Sequence, residues 1–298
     1  MSLNKTSHKR YNPLLNEWVL VSPQRSQRPW QGQKETVSLE KKPHHDPNCY
    51  LCPGSTRANG NKNPQYKNTF VFTNDFSALH PEHMKKTRQP SSPLFLSKPE
   101  TGICKVICFS PCHDLSIARM QTKQVKKIID TWSSEYKKLG SHDQINYVQV
   151  FENKGEAMGC SNPHPHGQIW ATNSIPTLPN REQVQQQKYL AEHKSCLLCE
   201  YTRLETEKKK RIIFSNDSFI ILVPYWAIWP YEILILPKRH ISSLLQLSDQ
   251  EKTDRASALI RMGTQFDNLF KTSFPYSMGI HQQPTDNMDH PEWHFHIH

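Results

Sequence analysis

Two histidines, two prolines and a glutamine crowd one short segment of the chain, Cys160-Ser-Asn-Pro-His-Pro-His-Gly-Gln168. Alternate side chains of a strand share a face, so His164, His166 and Gln168 are expected to point the same way. A neutral imidazole is a good nucleophile near pH 7, and the phosphoramidate it forms can pass its phosphoryl group on. The segment therefore predicts nucleotidyl transfer through His166, in preference to a structural loop with surface histidines.

The same segment offers groups that could hold a transferred phosphate. Ser161, Gly159 and neighbouring backbone amides are expected to donate hydrogen bonds to non-bridging phosphate oxygens. Pro163 and Pro165 stiffen the approach to the nucleophile and remove two competing backbone donors. These features agree with the chemistry expected of His166.

Cys49-Tyr-Leu-Cys52 is a cysteine pair at a spacing that lets both thiolates reach one ion. His113 and His164 are candidate partners in the same half of the chain. Two sulfurs and two imidazoles form a tetrahedral ligand set suited to Zn2+, and such a site would brace His164 two residues from the nucleophile. The alternative is a reduced, purely structural cysteine pair.

A second pair, Cys196-Leu-Leu-Cys199, has no histidine that the sequence places beside it. Buried or surface thiols are therefore favoured over zinc ligands at this pair. The remaining cysteines are interpreted as small core or packing residues: Cys104, Cys108, Cys112 and Cys160.

A cluster of histidines ends the chain, in His294-Phe-His-Ile-His298. Imidazoles combined with a carboxylate suit iron or zinc, so a second metal ion is one interpretation of this tail. A solvent-exposed histidine cluster at a chain end is the other.

Several features occur twice in the same order, which indicates two related halves. Phe72-Thr-Asn-Asp75 resembles Phe214-Ser-Asn-Asp217, and an apolar run followed by a proline leads both to His113 and to His240. A helix, a strand and a His-x-His cluster then follow in each half. The predicted fold class is α+β, with a mainly antiparallel sheet and helices in each half.

The two predicted helices rest on apolar residues at three-or-four spacing. The first face comprises Val125, Ile128, Ile129, Trp132, Tyr136 and Leu139, after Thr122 as the N-cap. The second comprises Leu259, Met262, Phe266, Leu269 and Phe270, after a capping box formed by Ser248 and Glu251. The strands Tyr147–Phe151 and Tyr276–Ile280 are predicted to follow these helices.

The composition of the chain limits the classes of partner and the cellular compartment that are expected. The chain has 298 residues and a formal net charge of +10, which favours anionic partners such as nucleotides and sugar phosphates. Nucleic acid is not expected, because the dense basic run Lys208–Arg211 lacks surrounding basic residues interleaved with aromatics. The N-terminus has no apolar signal core, and Pro224 and Pro230 interrupt the most apolar stretch, so no membrane span and a cytoplasmic location are expected.

These segments together resemble the galactose-1-phosphate uridylyltransferase family, a branch of the histidine-triad superfamily, over nearly the whole chain. Besides the His166 segment, the resemblance rests on Arg10-Tyr-Asn-Pro-Leu14, Trp18-Val-Leu-Val-Ser-Pro23, Arg28-Pro-Trp-Gln-Gly32, Val71-Phe-Thr-Asn-Asp-Phe76, Phe151-Glu-Asn-Lys-Gly155, Val223-Pro-Tyr-Trp-Ala227, Asp267-Asn-Leu-Phe270, Phe274-Pro-Tyr-Ser-Met-Gly279 and His281. It implies two histidine-triad-like halves: residues 1–177 with the nucleophile and the zinc site, and residues 178–298 with the second metal site.

The resemblance also implies a ping-pong reaction of the Leloir pathway of galactose metabolism. His166 would take UMP from UDP-glucose and transfer it to a hexose 1-phosphate, namely galactose 1-phosphate, to form UDP-galactose. Gln168 would hydrogen-bond the transferred phosphoryl group, and Ser161 the adjacent phosphate. The family motifs place at the UDP site Arg25, Arg28, Phe72, Asn74, Asp75, Val106, Asn153 and Gly159.

The resemblance also implies two metal sites, each with four ligands. Zn2+ would be bound by Cys49, Cys52, His113 and His164, and Fe2+ or a second Zn2+ by Glu182, His281, His296 and His298. A homodimer is implied as well. The chain departs from the family pattern at His294, where glutamine is usual, and at Ile280, where tryptophan is usual.

The chain ends at His298, whereas family members continue for some tens of residues, so we expect a C-terminally truncated form. Three alternatives to the uridylyltransferase are open. One is an inactive or impaired form that binds nucleotide sugars, and another is a histidine-triad nucleotidyltransferase or phosphorylase acting on an adenylyl sugar or dinucleotide. The third, a zinc-bearing nucleic-acid-binding protein, ranks last.

Overall fold

The computed structural model describes residues 6–27, 29, 42–81 and 92–298. The strands are β1 His8–Asn12, β2 Glu17–Val21, β3 Phe70–Thr73, β4 Gly102–Cys108, β5 Tyr147–Lys154, β6 His166–Thr172, β7 Ile212–Ser215, β8 Phe219–Leu222, β9 Leu234–Pro237, β10 Tyr276–His281 and β11 His296–Ile297. The α-helices are α1 Thr122–Gly140, α2 Thr177–His193, α3 Leu197–Lys208 and α4 Asp249–Phe270. Short 3-10 helices cover Pro23–Gln27, Ile117–Arg119, Glu156–Met158 and Leu244–Gln246.

One antiparallel sheet runs through both halves of the described chain, in the order β3-β4-β6-β5-β10-β11-β9-β8-β7. The halves meet where β5 pairs with β10, with Val150 opposite Ile280. The order β4-β6-β5 on one side is mirrored by β9-β11-β10 on the other, so each half contributes equivalent strands in the same arrangement. The predicted α+β fold with antiparallel sheets is confirmed, and the two sheets are continuous. The strands β1 and β2 form a separate hairpin.

The long helices α1 and α4 cover one face of this sheet. The predicted face of α1 is buried throughout, from Val125 to Leu139. Its N-cap is Gln121 and not Thr122, because the Gln121 backbone N–H and the Gln124 side chain, 2.8 Å apart, form the first capping pair. The predicted N-cap is therefore wrong by one residue. The prediction did not take account of Gln124 at the third helical position, which completes the capping box with Gln121.

The capping box of Ser248 and Glu251 begins α4 as predicted. Leu259 and Met262 are buried, but Leu269 is 61% exposed and does not belong to the core face. Leu269 lies in the last turn of the helix, and periodicity does not reveal where the packing partner ends. No helix in the described part of the chain combines the length and the apolar character that a bilayer crossing requires.

Arg255 of α4 is an unusual member of this core. It is fully buried between the rings of Trp132 and Phe295, with its guanidinium carbon 5.2 and 5.1 Å from their centroids. Within the described residues, none of its three side-chain nitrogens has a hydrogen-bond partner, and burial lowers its pKa to about 9. Two cation–π contacts of roughly 1–2 kcal/mol each do not offset several kcal/mol of charge desolvation.

We therefore expect Arg255→Met to raise the free energy of unfolding by about 1–3 kcal/mol, because methionine fills the space without burying a charge. Urea denaturation at neutral pH measures this difference. The control is Arg261→Met, a change on the exposed side of the same helix, which should leave stability nearly unchanged. A lower stability of Arg255→Met than of the wild type would contradict the expectation.

Candidate functional site

Strand β6 begins at His166 and carries the candidate nucleophile. Its burial alternates, so His166 and Gln168 share the half-buried face while Gly167 and Ile169 face the helices. His164 precedes the strand and is only 1% exposed. Its ring turns toward the cysteines, so the prediction that it shares a face with His166 and Gln168 is wrong, because strand geometry starts two residues later.

The hydrogen bond at Nδ1 of His166 fixes the chemistry of the ring. Nδ1 lies 2.7 Å from the carbonyl oxygen of His164. A carbonyl only accepts, so Nδ1 carries the proton and Nε2 keeps its lone pair. Burial lowers the pKa of His166, although the bond to the His164 carbonyl acts in the opposite direction. A neutral ring with a free Nε2 is the form that a nucleophile requires.

A cavity of about 60 Å³ lies beside this ring, lined by Asn153, Gly159, Cys160, Ser161, His166, Gly167 and Gln168. Gln168 Oε1 accepts a hydrogen bond from the Trp170 indole at 3.2 Å, and Asn153 Oδ1 accepts one from the Ser277 hydroxyl at 2.8 Å. With their oxygens engaged, both amides present NH2 groups to the cavity. The lining is therefore rich in donors, which suits phosphate oxygens.

Two glycines shape the walls of this cavity. Gly159 has a φ of +75°, a left-handed conformation that disfavours other residues. At Gly167, an added Cβ would lie 2.8 Å from Phe109 Cζ and 2.9 Å from the carbonyl oxygen of Phe151. Glycine at these positions lets the loop turn beside His166 and lets β6 pack closely against its neighbours.

Strand register brings further predicted residues to the site. Phe72 is opposite Val106, and Val106 is opposite Gln168, so the three form one row across β3, β4 and β6. The guanidinium of Arg57 lies 4.2 Å above the Phe72 ring and donates to Asp75 at 2.9 Å in a largely buried ion pair.

The loop after β3 is held by its own bonds. Asn74 Oδ1 accepts from the backbone N–H of Phe76 at 3.0 Å, and the Asn74 N–H donates to the Cys104 carbonyl at 2.9 Å. Asn74 and Asp75 thus have fixed positions next to the row. Arg57, which the sequence interpretation missed, lies in a loop with no motif around it, so only the fold reveals it.

Arg25 and Arg28 are not brought into the cavity. Arg25 is exposed, on the 3-10 helix after the β1–β2 hairpin, and this hairpin packs through Leu14 and Val19 on a cluster of the second half. The described lining of the cavity beside His166 does not include Arg25. Arg28 lies outside the described residues.

Glu152, next to Asn153 on β5, lies on the opposite face of the strand. Its carboxylate accepts from the Tyr276 hydroxyl at 2.8 Å, and burial raises its pKa from 4.5 to about 7, against opposing effects of Tyr276 and Lys154. Because the pKa of Glu152 is higher in the folded state than in the unfolded chain, the protonated carboxyl stabilises the fold at pH values below the unfolded pKa of 4.5. This stabilisation is lost as the pH rises through about 7.

We expect Glu152→Gln to remove this pH dependence, because glutamine keeps an acceptor for Tyr276 but cannot ionise. The variant should gain stability relative to the wild type between pH 5 and 8, by at most about 3 kcal/mol. Denaturant unfolding of both proteins across this pH range measures their difference in free energy of unfolding. The titration of groups that both proteins share cancels in this difference. Parallel stability curves for the two proteins would contradict the expectation.

The first cluster of candidate metal ligands is Cys49, Cys52, His113 and His164, all buried, with ligand atoms within 4.8 Å of one another. Cys52 Sγ lies 3.7 Å from His113 Nδ1 and 3.6 Å from His164 Nδ1. A sulfur and a nitrogen that bind one zinc ion at about 2.3 and 2.1 Å, at tetrahedral angles, lie about 3.6 Å apart. His164 Nε2 donates to the Ser110 carbonyl at 2.8 Å, which leaves Nδ1 for an ion.

The second cluster is Glu182, His281, His296 and His298. Glu182 Oε2 lies 2.7 Å from His281 Nδ1 and 3.4 Å from His296 Nε2, and Oε1 lies 3.4 Å from His298 Nε2. Within the described residues, Nε2 of His296 and of His298 is buried without a hydrogen-bond partner, which fits atoms that bind an ion. The interpretation of the tail as a solvent-exposed cluster is wrong, since His296 is fully buried.

Glu182 is ionised in this setting. Burial raises the pKa of its carboxyl, but the imidazoles of His281 and His296 outweigh this effect and hold the pKa well below its usual value. A carboxylate and three imidazoles form the ligand set expected of iron or zinc.

A third cluster contradicts the interpretation of the second cysteine pair as thiols without a histidine partner. Cys196 and Cys199 lie with His240 and His294, and their ligand atoms are within 4.8 Å of one another. Sequence interpretation missed both histidines, although His240 had been recognised as the repeat of His113. Cys112 is also not a core residue, since its Sγ lies 3.1 Å from His44 Nε2 at a partly exposed position.

Comparison with known proteins identifies the family. The N-terminal domain of galactose-1-phosphate uridyl transferase matches residues 1–176, and the C-terminal domain matches residues 182–298. Galactose-1-phosphate uridylyltransferase of Haemophilus influenzae is 48% identical over 98% of this chain and 82% of its own length. The Rattus norvegicus enzyme is 47% identical over 98% of this chain and 77% of its own length.

Solved structures agree. A uridylyltransferase structure is similar with a TM-score of 0.75 and 27% identity, covering 97% of this chain and 84% of that one. An ADP-glucose phosphorylase from Arabidopsis thaliana with bound ADP-glucose, 24% identical over 98% of this chain and 88% of its own, shares the fold with a TM-score of 0.75. The C-terminal domain matches through residue 298, and the expected truncation is not borne out. The chain belongs to the galactose-1-phosphate uridylyltransferase family.

Proposed function

We propose that this chain, a uridylyltransferase of its family, transfers UMP between hexose 1-phosphates through a covalent bond to Nε2 of His166. One observation carries the proposal. The Nδ1 proton of His166 is committed to the His164 carbonyl at 2.7 Å, so the lone pair of Nε2 is left at a cavity lined with donors. The substrates proposed are UDP-glucose or UDP-galactose and the matching hexose 1-phosphate.

In the first half-reaction, the Nε2 lone pair of His166 attacks the α-phosphorus of UDP-glucose. The phosphorus–oxygen bond to the β-phosphate breaks, and glucose 1-phosphate leaves with that electron pair. The ring becomes positively charged, and the His164 carbonyl stabilises it through the Nδ1 proton. In the second half-reaction, a phosphate oxygen of galactose 1-phosphate attacks the same phosphorus, the phosphorus–nitrogen bond breaks, and UDP-galactose leaves.

The walls of the site hold the nucleotide in this proposal. The Gln168 amide donates to the transferred phosphoryl group, and the Ser161 hydroxyl to the adjacent phosphate. The row of Phe72 and Val106 forms an apolar platform for uracil beside Gln168. Further contacts are assigned to Asn74, Asp75, Asn153 and Gly159, and, from the family motif alone, to Arg25 and Arg28.

We further propose that Cys49, Cys52, His113 and His164 hold Zn2+ and that Glu182, His281, His296 and His298 hold Fe2+ or a second Zn2+. A bound zinc ion would anchor the ring of His164, and the His164 carbonyl orients the nucleophile. A division at residues 177 and 178, a cytoplasmic homodimer and the absence of nucleic-acid binding remain proposals of the same kind.

Isotope exchange tests the covalent step. Purified protein is incubated with UDP-glucose and radiolabelled glucose 1-phosphate, without galactose 1-phosphate. A ping-pong enzyme exchanges label into UDP-glucose, because the first half-reaction is reversible and independent of the second acceptor. ADP-glucose serves as the control for an adenylyl enzyme. Exchange that requires galactose 1-phosphate, or exchange with ADP-glucose alone, would contradict the proposal.

A further inference from the structure

The cluster of Cys196, Cys199, His240 and His294 has the geometry of a metal site. Cys199 Sγ lies 3.6 Å from His240 Nδ1 and 3.3 Å from His294 Nδ1, and Cys196 Sγ lies 3.5 Å from His294 Nδ1. Tetrahedral zinc separates sulfur and nitrogen ligands by about 3.6 Å, so one ion can reach all of these atoms. The cysteines lie at the start of α3, where Cys196 is the N-cap and the Cys199 N–H donates to its sulfur at 3.5 Å.

The cluster repeats the first cluster in its outer hydrogen bonds. His294 Nε2 donates to the Pro237 carbonyl at 3.2 Å, and His164 Nε2 donates to the Ser110 carbonyl at 2.8 Å. Both bonds are made at the end of equivalent strands, β9 and β4. Each consumes the Nε2 proton and leaves the Nδ1 lone pair directed at a cysteine pair, which is the tautomer that a metal ligand needs.

The repetition extends to the residue two positions further on. His296 Nδ1 lies 2.7 Å from the His294 carbonyl, as His166 Nδ1 lies 2.7 Å from the His164 carbonyl. In both halves, a cluster of two cysteines and two histidines includes the histidine whose carbonyl orients the next ring. Chance proximity of four side chains would not reproduce these bonds.

We propose that Cys196, Cys199, His240 and His294 bind a Zn2+ ion of their own, in addition to the ions proposed above. Binding converts two thiols and one aqueous ion into a dithiolate complex and releases two protons. The ion ties the start of α3 to the segment after β9 and to the approach to β11. It thereby fixes the His294 carbonyl, which orients His296. The inference does not depend on the proposed transferase mechanism.

Metal analysis of the full chain tests the site. Cys196→Ser combined with Cys199→Ser should contain one zinc equivalent per chain less than the wild type. After exchange of zinc for Co2+, its thiolate-to-cobalt charge-transfer band should fall to about half, because the first cysteine pair still binds. Cys112→Ser, a cysteine outside the clusters, is the control and should change neither readout. Unchanged zinc content and an unchanged band in the double variant would overturn the proposal.

A second variant keeps the test decisive if the double variant does not fold. His240 is exposed, so His240→Asn disturbs little packing while it removes one ligand. Chelator competition should then show a loss of zinc affinity at one site of at least about 100-fold. A competition curve identical to that of the wild type, or a Cys196–Cys199 disulfide in protein purified under reducing conditions, would equally overturn it.

Discussion

His166→Gly is expected to lower the rate of UMP transfer by at least about four orders of magnitude, because it removes the nucleophile itself. Binding of UDP-glucose should change little, since the platform of Phe72 and Val106 and the Gln168 amide remain. Steady-state rates and calorimetric binding on the same preparation measure the two effects. Added imidazole, small enough for the space left by the side chain, should restore some release of glucose 1-phosphate.

A surface histidine provides the matched control for this prediction. His142 is exposed in the turn after α1, and His142→Gly should retain the full rate. If His166→Gly kept more than about a hundredth of the wild-type rate, direct transfer between bound substrates would replace the covalent route. If it lost binding as well, His166 would be a binding residue and not the nucleophile.

Cys52→Ser is expected to have the second largest effect. Cys52 is fully buried, and its Sγ lies 3.7 Å from His113 Nδ1 and 3.6 Å from His164 Nδ1, so serine should release one zinc equivalent per chain. The free energy of unfolding should fall by about 3–5 kcal/mol. The transfer rate should fall at least about 100-fold, because His164 and its carbonyl lose their anchor. Metal analysis, denaturation and the exchange assay measure the three changes.

Cys108→Ser distinguishes loss of a ligand from loss of a buried thiol. Cys108 is also fully buried and packs in the same cluster as Cys52, but it is not one of the four candidate ligands, and its Sγ donates to the Leu51 carbonyl at 3.9 Å. The serine hydroxyl can donate to that carbonyl, so zinc content and activity should be retained. Retention of zinc and of activity in Cys52→Ser would contradict the assignment of the cluster as a metal site.

The two halves show how one scaffold supports different chemistry. His166 and His296 make the same bond from Nδ1 to a carbonyl two residues back. Nε2 of His166 faces a cavity, whereas Nε2 of His296 lies 3.4 Å from the carboxylate of Glu182 on α2. An open cavity suits a nucleophile, and a neighbouring carboxylate and further imidazoles suit a metal ligand. The difference comes from α2, which places the carboxylate of Glu182 against the ring of His296, whereas a cavity lies beside the ring of His166.

Local sequence features predicted much of this molecule. The buried face of α1, the capping box of Ser248 and the role proposed for His166 depend on residues near one another in the chain. The row from Phe72 to Gln168 depends on strand register, and Arg57 on the path of a loop, so the residues themselves gave no indication of either. The ligands of Cys196 and Cys199 were missed for another reason. The repeat already paired His113 with His240, and extending it to the cysteine pairs would have predicted the third cluster.

The most direct test of the central claim is to incubate the purified chain with UDP-glucose labelled at the α-phosphorus and to map the label on the protein. The covalent mechanism predicts about one UMP per chain, labile in acid and stable in base, on the peptide that contains His166, and no label in His166→Gly. Label on any other residue, or none under conditions in which isotope exchange proceeds, would contradict it.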